Sequence, residues 1–125
     1  MIWKTPATLA LIASMCGVQT LAAETFRQIK GSEISARFAG MEMTDEVHWA
    51  KVFAKDGTYV SFSLGTKSKG KWRVEKNELC IDRSKSSEDN WCYEVWMSGK
   101  NVQLRQPGID IYDEGILQKP VKRSL

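Results

Sequence analysis

The chain has 125 residues, of which 42% are hydrophobic and 26% charged, and this composition is typical of one globular domain. Its formal net charge of +3 is small, and the Lys and Arg residues are interleaved with Asp and Glu. This distribution excludes an extended basic surface. We therefore expect no nucleic-acid partner and no attachment to an anionic membrane surface.

Residues 1–23 have the pattern of a secretory signal peptide. Lys4 provides a positive n-region, residues 7–18 form an apolar stretch, and small residues follow at Ala22 and Ala23. The apolar stretch is too short to cross a bilayer, so we expect no membrane span. Cleavage after Ala22 and cleavage after Ala23 both fit the pattern.

Export would place residues 24–125 in the periplasm or outside the cell as a single β domain. Removal of the leader takes away only Lys4 among the charged side chains, which leaves 17 basic and 15 acidic groups, a net charge of about +2. A lipoprotein acylated at Cys16 is the alternative. It is disfavoured because bulky Met15 precedes that cysteine and fits a lipobox poorly.

Cys80 and Cys92 are the two cysteines that export would retain. An even pair in an oxidising compartment is typical of a disulfide. Each lies on the strand face opposite to its apolar neighbours, so the two sulfurs can share a face. A catalytic thiol would need a neighbouring base, and His48, the sole histidine, is far away in sequence. We expect a disulfide.

The first predicted element after the leader is a short helix. Ser32 is a suitable N-cap, Ile34 and Phe38 lie four residues apart on one face, and Gly40 is a suitable C-cap. We expect this helix to cover part of a sheet. Residues 41–46 carry no strong period, and we interpret them as a connection.

Residues 47–54 are rich in strand-forming side chains and predict the first long strand. The dipeptide 56–57, Asp-Gly, predicts a hairpin turn because such turns need positive φ. In the return strand, residues 58–64, the alternation predicts one set of side chains that faces the core and one set that faces solvent. The inward set is Val60, Phe62 and Leu64, and the outward set is Tyr59, Ser61 and Ser63.

Residues 70–97 hold the densest strand pattern, in three arms separated by a turn and a polar loop. In the first arm Trp72 alternates with charged neighbours such as Arg73, so we expect Trp72 in the core and Arg73 in solvent. The second arm covers residues 78–82 and the third residues 91–97. The three arms predict an antiparallel meander.

The remaining chain predicts a strand near residues 102–105 and one or two short closing strands around a turn at residues 113–115. We expect residues 120–123 to be frayed. Together these patterns predict an all-β fold, an antiparallel up-and-down meander of about seven or eight strands with one short N-terminal helix. Closure, complete or partial, into a small barrel would remove exposed edges.

Several of these positions carry a family resemblance. The pattern Gly70-Lys-Trp72-x-Val74, Leu79-Cys80 and Cys92-Tyr93-x-Val95, with a later Gly115, resembles small exported β proteins, mostly from alphaproteobacteria. Those proteins are lipocalin-like in outline and generally have no assigned activity. The resemblance covers most of residues 24–125 and implies the fold and export. It implies no catalytic or binding residue.

The sequence contains little that points to catalysis or metal binding. It has no Gly-rich phosphate loop, no Cys-x-x-Cys and a single histidine. Met41, Met43 and His48 are soft ligands that suit Cu(I), but methionines beside a strand more often fill a core. The acidic residues of the predicted last turn lack the spacing of a calcium loop, so we expect them to be solvated. They are Asp110, Asp113 and Glu114.

Trp96 is out of phase with the apolar set of its strand, which predicts an outward side chain. An exposed tryptophan beside a disulfide is a candidate partner contact, and Asn90 and Lys85 of the polar loop lie next to it in the sequence. The alternative is that the helix starting at Ser32 packs over Trp96. Both interpretations fit the sequence.

We therefore expect a non-enzymatic binding protein without a cofactor, which takes a small ligand in the barrel or a protein partner on its rim. The alternative is an inhibitor of an exported or host enzyme such as lysozyme. A net charge near +2 disfavours that alternative, because an inhibitor of a strongly cationic enzyme should be acidic.

Overall fold

The computed structural model describes residues 25–83 and 90–123, together with residues 10, 12 and 17. The predicted signal peptide falls almost entirely outside the described residues. The described chain forms one helix and nine strands, which confirms the all-β prediction. The elements are β1 (Arg27–Ile29), α1 (Ser32–Phe38), β2 (Met41–Thr44), β3 (Trp49–Phe53), β4 (Thr58–Ser63), β5 (Thr66–Glu75), β6 (Glu78–Asp82), β7 (Asn90–Ser98), β8 (Asn101–Arg105) and β9 (Tyr112–Gln118).

Strands β2 to β9 form a closed antiparallel barrel. Each strand pairs with the next along the chain, and β2 pairs with β9 to close the circle. Met43 lies opposite Leu117 in that closing pair, and both side chains belong to the core. Closure removes the free edges that so small a sheet would otherwise expose. Strand β1 is additional and lies beside β7, with Ile29 opposite Val95.

The expectation of a connection at residues 41–46 is wrong, because Met41–Thr44 form β2. Met43 is buried in the core, while Glu42 and Thr44 face the other side of the strand. The period-two pattern is therefore present over only four residues. Such a short pattern forms a strand here because β3 and β9 pair with it on both sides.

Helix α1 plugs one end of the barrel. Its two apolar side chains, Ile34 and Phe38, are fully buried, and the Phe38 ring meets the Phe53 ring edge-on at 5.1 Å between centroids. Ser32 is the first helical residue rather than the N-cap, which is Gly31, and no side chain caps the helix. Gly40 follows the helix with φ of 77°, as expected of a glycine that ends one. Among the residues that the structure describes, no helix has the length and apolar character needed to cross a membrane.

Trp72 packs against the core, as its strand phase predicts. Its ring meets Phe53 edge-on at 5.7 Å, and its indole nitrogen donates a 2.8 Å hydrogen bond to the Ala54 carbonyl. On the opposite face, the exposed Arg73 pairs with Asp82 across the hairpin. The inward and outward faces of β5 are thus the predicted ones.

The predicted disulfide is present between Cys80 and Cys92. The two residues lie directly opposite each other on β6 and β7, with 4.0 Å between their Cα atoms. They face outward, away from Leu79 and Tyr93 in the core. The bridge therefore joins two adjacent strands of the barrel wall.

The predicted phase of β4 is wrong. Tyr59 is inward and 1% exposed, whereas Leu64 lies beyond the strand at a turn and is 81% exposed. Phe62 faces outward, where the guanidinium of Arg123 lies 5.3 Å from its ring centroid. Both faces of β4 are therefore partly covered. Alternation alone cannot identify the inner face of such a strand.

The C-terminal segment after β9 crosses the outer face of the barrel, so the expectation of a frayed end is wrong for Arg123. This guanidinium pairs with the carboxylate of Glu42, which is fully buried. The amide of Gln118 donates a 2.8 Å hydrogen bond to the other carboxylate oxygen. A buried charge needs such partners, and the C-terminal segment supplies one of them.

Replacing Arg123 with alanine is expected to lower the free energy of unfolding by about 2 kcal/mol, because Glu42 stays buried without its cation. Lys122→Ala is the matched control. This neighbour is exposed, and its loss should change the stability by no more than about 0.5 kcal/mol. Urea melts at neutral pH measure both variants. Equal midpoints would contradict the role given to Arg123.

The same ion pair predicts a pH dependence. Burial raises the pKa of Glu42, but the hydrogen bonds from Arg123 and Gln118 and the charge of Arg123 outweigh burial and hold that pKa below its ordinary 4.5. A carboxyl with a lowered pKa stabilises the fold above the ordinary value and loses this effect as the pH falls through the folded-state value. The stability difference between the wild type and Arg123→Ala should therefore shrink below about pH 4.5.

Candidate functional site

The end of the barrel opposite α1 contains a cavity of about 360 Å³. Inward side chains of β7, β8 and β9 form part of its wall, and the segment between β8 and β9 forms its rim. Trp91 and Ile111 on the rim are 43% and 78% exposed. The lining residues are Arg83, Trp91, Tyr93, Leu104, Gln106, Ile111, Tyr112 and Asp113. We call this cavity the barrel mouth.

Two glycines of the inner wall explain how the mouth is shaped. A Cβ on Gly70 would lie 2.3 Å from the Asp82 carbonyl oxygen and 3.2 Å from the Arg83 Cα. The chain after β6 therefore crosses closely over Gly70, which places Arg83 at the mouth. A Cβ on Gly115 would lie 3.0 Å from the tip of the Trp49 ring, so that ring packs where a side chain would be.

A buried ion pair lies inside the barrel below the mouth. Lys51 has the same strand phase as Trp49 and Phe53 and is 7% exposed. Its ammonium is 2.7 Å from a carboxylate oxygen of Asp113 and 4.9 Å from the centroid of the Trp49 ring. Burial lowers the pKa of Lys51, and Asp113 offsets only part of this effect. The expectation of a turn is thus wrong for Asp113, which belongs to β9 and pairs with Lys51, although its side chain is about half-exposed.

Tyr59 provides a buried hydroxyl in the same region. Its side chain is 1% exposed, and no described residue forms a hydrogen bond of normal geometry with its hydroxyl oxygen. Burial raises the pKa of Tyr59, although the charge of Arg83 opposes that rise, as does the Ser61 side chain, which approaches the hydroxyl without normal hydrogen-bond geometry. The hydroxyl therefore stays protonated at neutral pH and is available as a donor.

Strand pairing places Tyr59 beside the residues of the mouth. Tyr59 lies opposite Gly70 in the pair of β4 with β5, and a Cβ on Gly70 would lie 3.2 Å from the Cα of Arg83, which lines the mouth. Arg83, Tyr93 and Asp113, which all line the mouth, also act on the pKa of Tyr59. Burial is the main cause of the raised pKa of Tyr93, and Arg83 opposes it there too. Among the described residues that line the mouth or lie below it, Arg83 and Lys51 supply two cations and Asp113 supplies one carboxylate.

A second cavity, a groove of about 410 Å³, lies on the outer face of the barrel between β2, β4 and the C-terminal segment. Two polar side chains near it, Thr44 and Asp45, are paired. Thr44 donates a 2.7 Å hydrogen bond to the Trp49 carbonyl, and Asp45 accepts backbone N–H bonds from residues 47–49. The groove is slightly larger than the mouth, but it offers no unpartnered buried donor among the described residues.

Trp96, the predicted partner contact, is half-buried on the outer face of β7. The Arg105 guanidinium lies 4.1 Å from its ring centroid, and its indole nitrogen donates to Glu94 at 3.2 Å. Gln28 of β1 lies beside it, whereas α1 directs its apolar side chains into the barrel. Asn90 is exposed at the start of β7, and Lys85 lies outside the described residues. A partner contact at Trp96, Asn90 and Lys85 stays a prediction.

The residues considered for copper lie apart in the structure. Met43 is fully buried in the core, whereas the His48 ring is largely exposed and lies 2.9 Å from an oxygen of Asp45. Within residues 25–83 and 90–123, no three or more His, Cys, Asp or Glu side chains are grouped so as to hold a metal ion.

Comparisons with protein-family models, with curated proteins and with solved structures found no match. The resemblance to small exported β proteins therefore rests on the residue pattern alone. The fold and the mouth define a closed eight-stranded barrel, plugged at one end and open to a cationic, aromatic cavity at the other.

The polar residues of this cavity were not predicted from the sequence. The best available signal was Lys51 within Trp-x-Lys-x-Phe, where a lysine shares the phase of two aromatic residues. That phase places the lysine inside whenever the aromatics are inside. No comparable signal marks Arg83 or Asp113, because their positions depend on how the barrel closes.

Proposed function

We propose that this protein is an exported, non-enzymatic binding protein that takes a small ligand with an apolar part into the barrel mouth. The observation that carries the proposal is the mouth itself, a cavity of about 360 Å³ with aromatic walls in a barrel whose other end is plugged by α1. Cavities of this kind, apolar with a few convergent polar groups, are where small ligands bind. The disulfide is compatible with export.

The ligand's apolar part would contact Trp91 and Tyr93, which face the mouth from one strand. Trp91 is 43% exposed in the absence of a ligand, so a bound molecule would remove apolar surface from water. Tyr93 is buried behind it and forms part of the core. The inner face of β7 thus provides a flat apolar surface, and the outer face of the same strand carries Trp96.

The test is the binding of phenylnaphthylamine, an uncharged probe whose fluorescence rises in apolar surroundings. Trp91→Ala should weaken its binding about five- to tenfold, because one aromatic wall is lost. Trp96→Ala is the matched control, the same change on the other face of the same strand, and should leave the affinity unchanged. Loss of binding in Trp96→Ala alone would instead place the site on the outer surface. Unchanged binding in both variants, or no binding by the wild type, would contradict the proposal.

A further inference from the structure

We propose that the barrel mouth selects ligands that carry an oxyanion, such as a carboxylate or a sulfonate, which the Tyr59 hydroxyl and the cations of Lys51 and Arg83 would bind. This inference rests on the proposed function and specifies the ligand class for the same cavity. Within the part of the chain that the structure describes, the inference is carried by the juxtaposition, with two cations and one carboxylate, of a buried donor that forms no hydrogen bond of normal geometry.

The Tyr59 hydroxyl is buried and forms no hydrogen bond of normal geometry with the described residues. Leaving a buried hydroxyl without a hydrogen bond destabilises a fold, so proteins rarely retain one without a reason. Phenylalanine would fill the same space beside Phe53, whose ring centroid lies 5.5 Å from that of Tyr59. A ligand oxygen reaching the floor of the mouth would accept the hydroxyl proton and complete this hydrogen bond.

The charged side chains at the mouth favour an anionic ligand. Lys51 is 7% exposed and has one partner, Asp113, whose side chain is about half-exposed at the mouth. No carboxylate of the described residues lies within ion-pair distance of Arg83, although its charge acts on Lys51, Tyr59 and Tyr93. An anion in the mouth would balance the charge of Arg83. A cationic ligand would be repelled by both Lys51 and Arg83.

The apolar and polar side chains of this region differ in burial. Trp91 and Ile111 are exposed on the rim, whereas Lys51 and Tyr59 are buried inside the barrel. A ligand would therefore enter with its oxyanion first and leave its apolar part between the rim side chains. In this orientation the Tyr59 hydroxyl gains a hydrogen bond, and the exposed ring of Trp91 is covered by the apolar part of the ligand.

The experiment compares two matched probes, anilinonaphthalene sulfonate and phenylnaphthylamine, which share their rings and differ in the sulfonate group. Tyr59→Phe should weaken the sulfonate probe about tenfold, the value of one hydrogen bond to a charged group, and leave the uncharged probe unchanged. The same variant should melt at the wild-type temperature or above it, because the hydroxyl it loses forms no hydrogen bond of normal geometry with the described residues. A purely structural role for Tyr59 would move the melting temperature and neither affinity.

Lys51→Met supplies the charge test, and Lys69→Met is its matched control. Lys69 is an exposed lysine on β5, so its loss removes the same charge outside the barrel. Lys51→Met should weaken the sulfonate probe at least about tenfold and Lys69→Met by less than about twofold. If the two lysine variants lose equal affinity for the sulfonate probe, the probe is attracted non-specifically by positive charge, and the inference is overturned.

The two proposals fail in different ways. If the wild type binds the uncharged probe in the mouth and the Tyr59→Phe and Lys51→Met variants bind both probes as the wild type does, the ligand-binding proposal stands and the oxyanion inference is wrong. If neither probe binds the wild type, the proposed function fails and the inference fails with it.

Discussion

Replacing Trp72 with alanine is expected to lower the free energy of unfolding by about 3–5 kcal/mol. The ring fills the space beside Phe53, and its nitrogen ties β5 to the Ala54 carbonyl at the end of β3. The variant therefore leaves a cavity, and the Ala54 carbonyl keeps only its hydrogen bond from the Gly57 N–H. Against a total stability of about 5–15 kcal/mol for a domain of this size, the change should leave the protein only marginally folded.

Arg73→Ala is the control for this experiment, because Arg73 is the next residue of the same strand and faces solvent. Its ion pairs with Glu75 and Asp82 are exposed, and exposed pairs contribute little, so the loss should be within about 0.5 kcal/mol. Urea melts followed by circular dichroism compare the two variants. If their midpoints coincide, the inward and outward faces of β5 have been assigned the wrong way round.

Removing the disulfide with the double change Cys80→Ala and Cys92→Ala is expected to lower the free energy of unfolding by roughly 3 kcal/mol. The bridge closes a loop with a sequence separation of 12 residues, and the gain comes from the restricted unfolded chain. Arg83 lies within this loop and lines the mouth. Loss of the bridge should therefore affect the mouth as well as the stability.

Reduction of the wild type is the matched control for the double variant. A reducing agent should lower the urea midpoint of the wild type toward that of the variant and leave the variant unchanged. Intact mass before and after reduction counts the thiols directly. Two free thiols in the protein as isolated from an oxidising compartment would contradict the predicted bridge.

The core of the meander could be predicted because its signals are local. In the hairpin from Gly70 to Ile81, the alternation around Trp72, the turn residues and the position of Cys80 all depend on neighbours within a few residues. Their phases are confirmed by the burial of Leu79 and Ile81 and by the pairing of Cys80 with Cys92. Strand phase is a property of the backbone geometry, so it is visible wherever one face is apolar and the other polar.

The candidate site could not be predicted in the same way. Lys51 and Asp113 are 62 residues apart in the sequence, and they meet because β2 pairs with β9. Arg83 reaches the mouth because Gly70 lets the chain pass over it at close range. The alternation of β4 predicts Tyr59 on the outer face, whereas the structure buries it inside the barrel. Each of these placements depends on contacts between distant parts of the chain.

Short-range patterns in the sequence predict the strand-rich meander, a closed or half-closed barrel, the tight turns and the Cys80–Cys92 bridge, because period-two patterns and turn residues act over a few neighbouring positions. Complete closure through β2 and β9, the inner face of β4 and the burial of Glu42 beneath Arg123 emerge only from contacts between distant parts of the chain. The physical reason is that burial depends on what covers each face. In this protein the C-terminal segment covers the outer face of Phe62 and Glu42, while charged groups occupy the interior near the mouth, so polarity alone does not separate inside from outside.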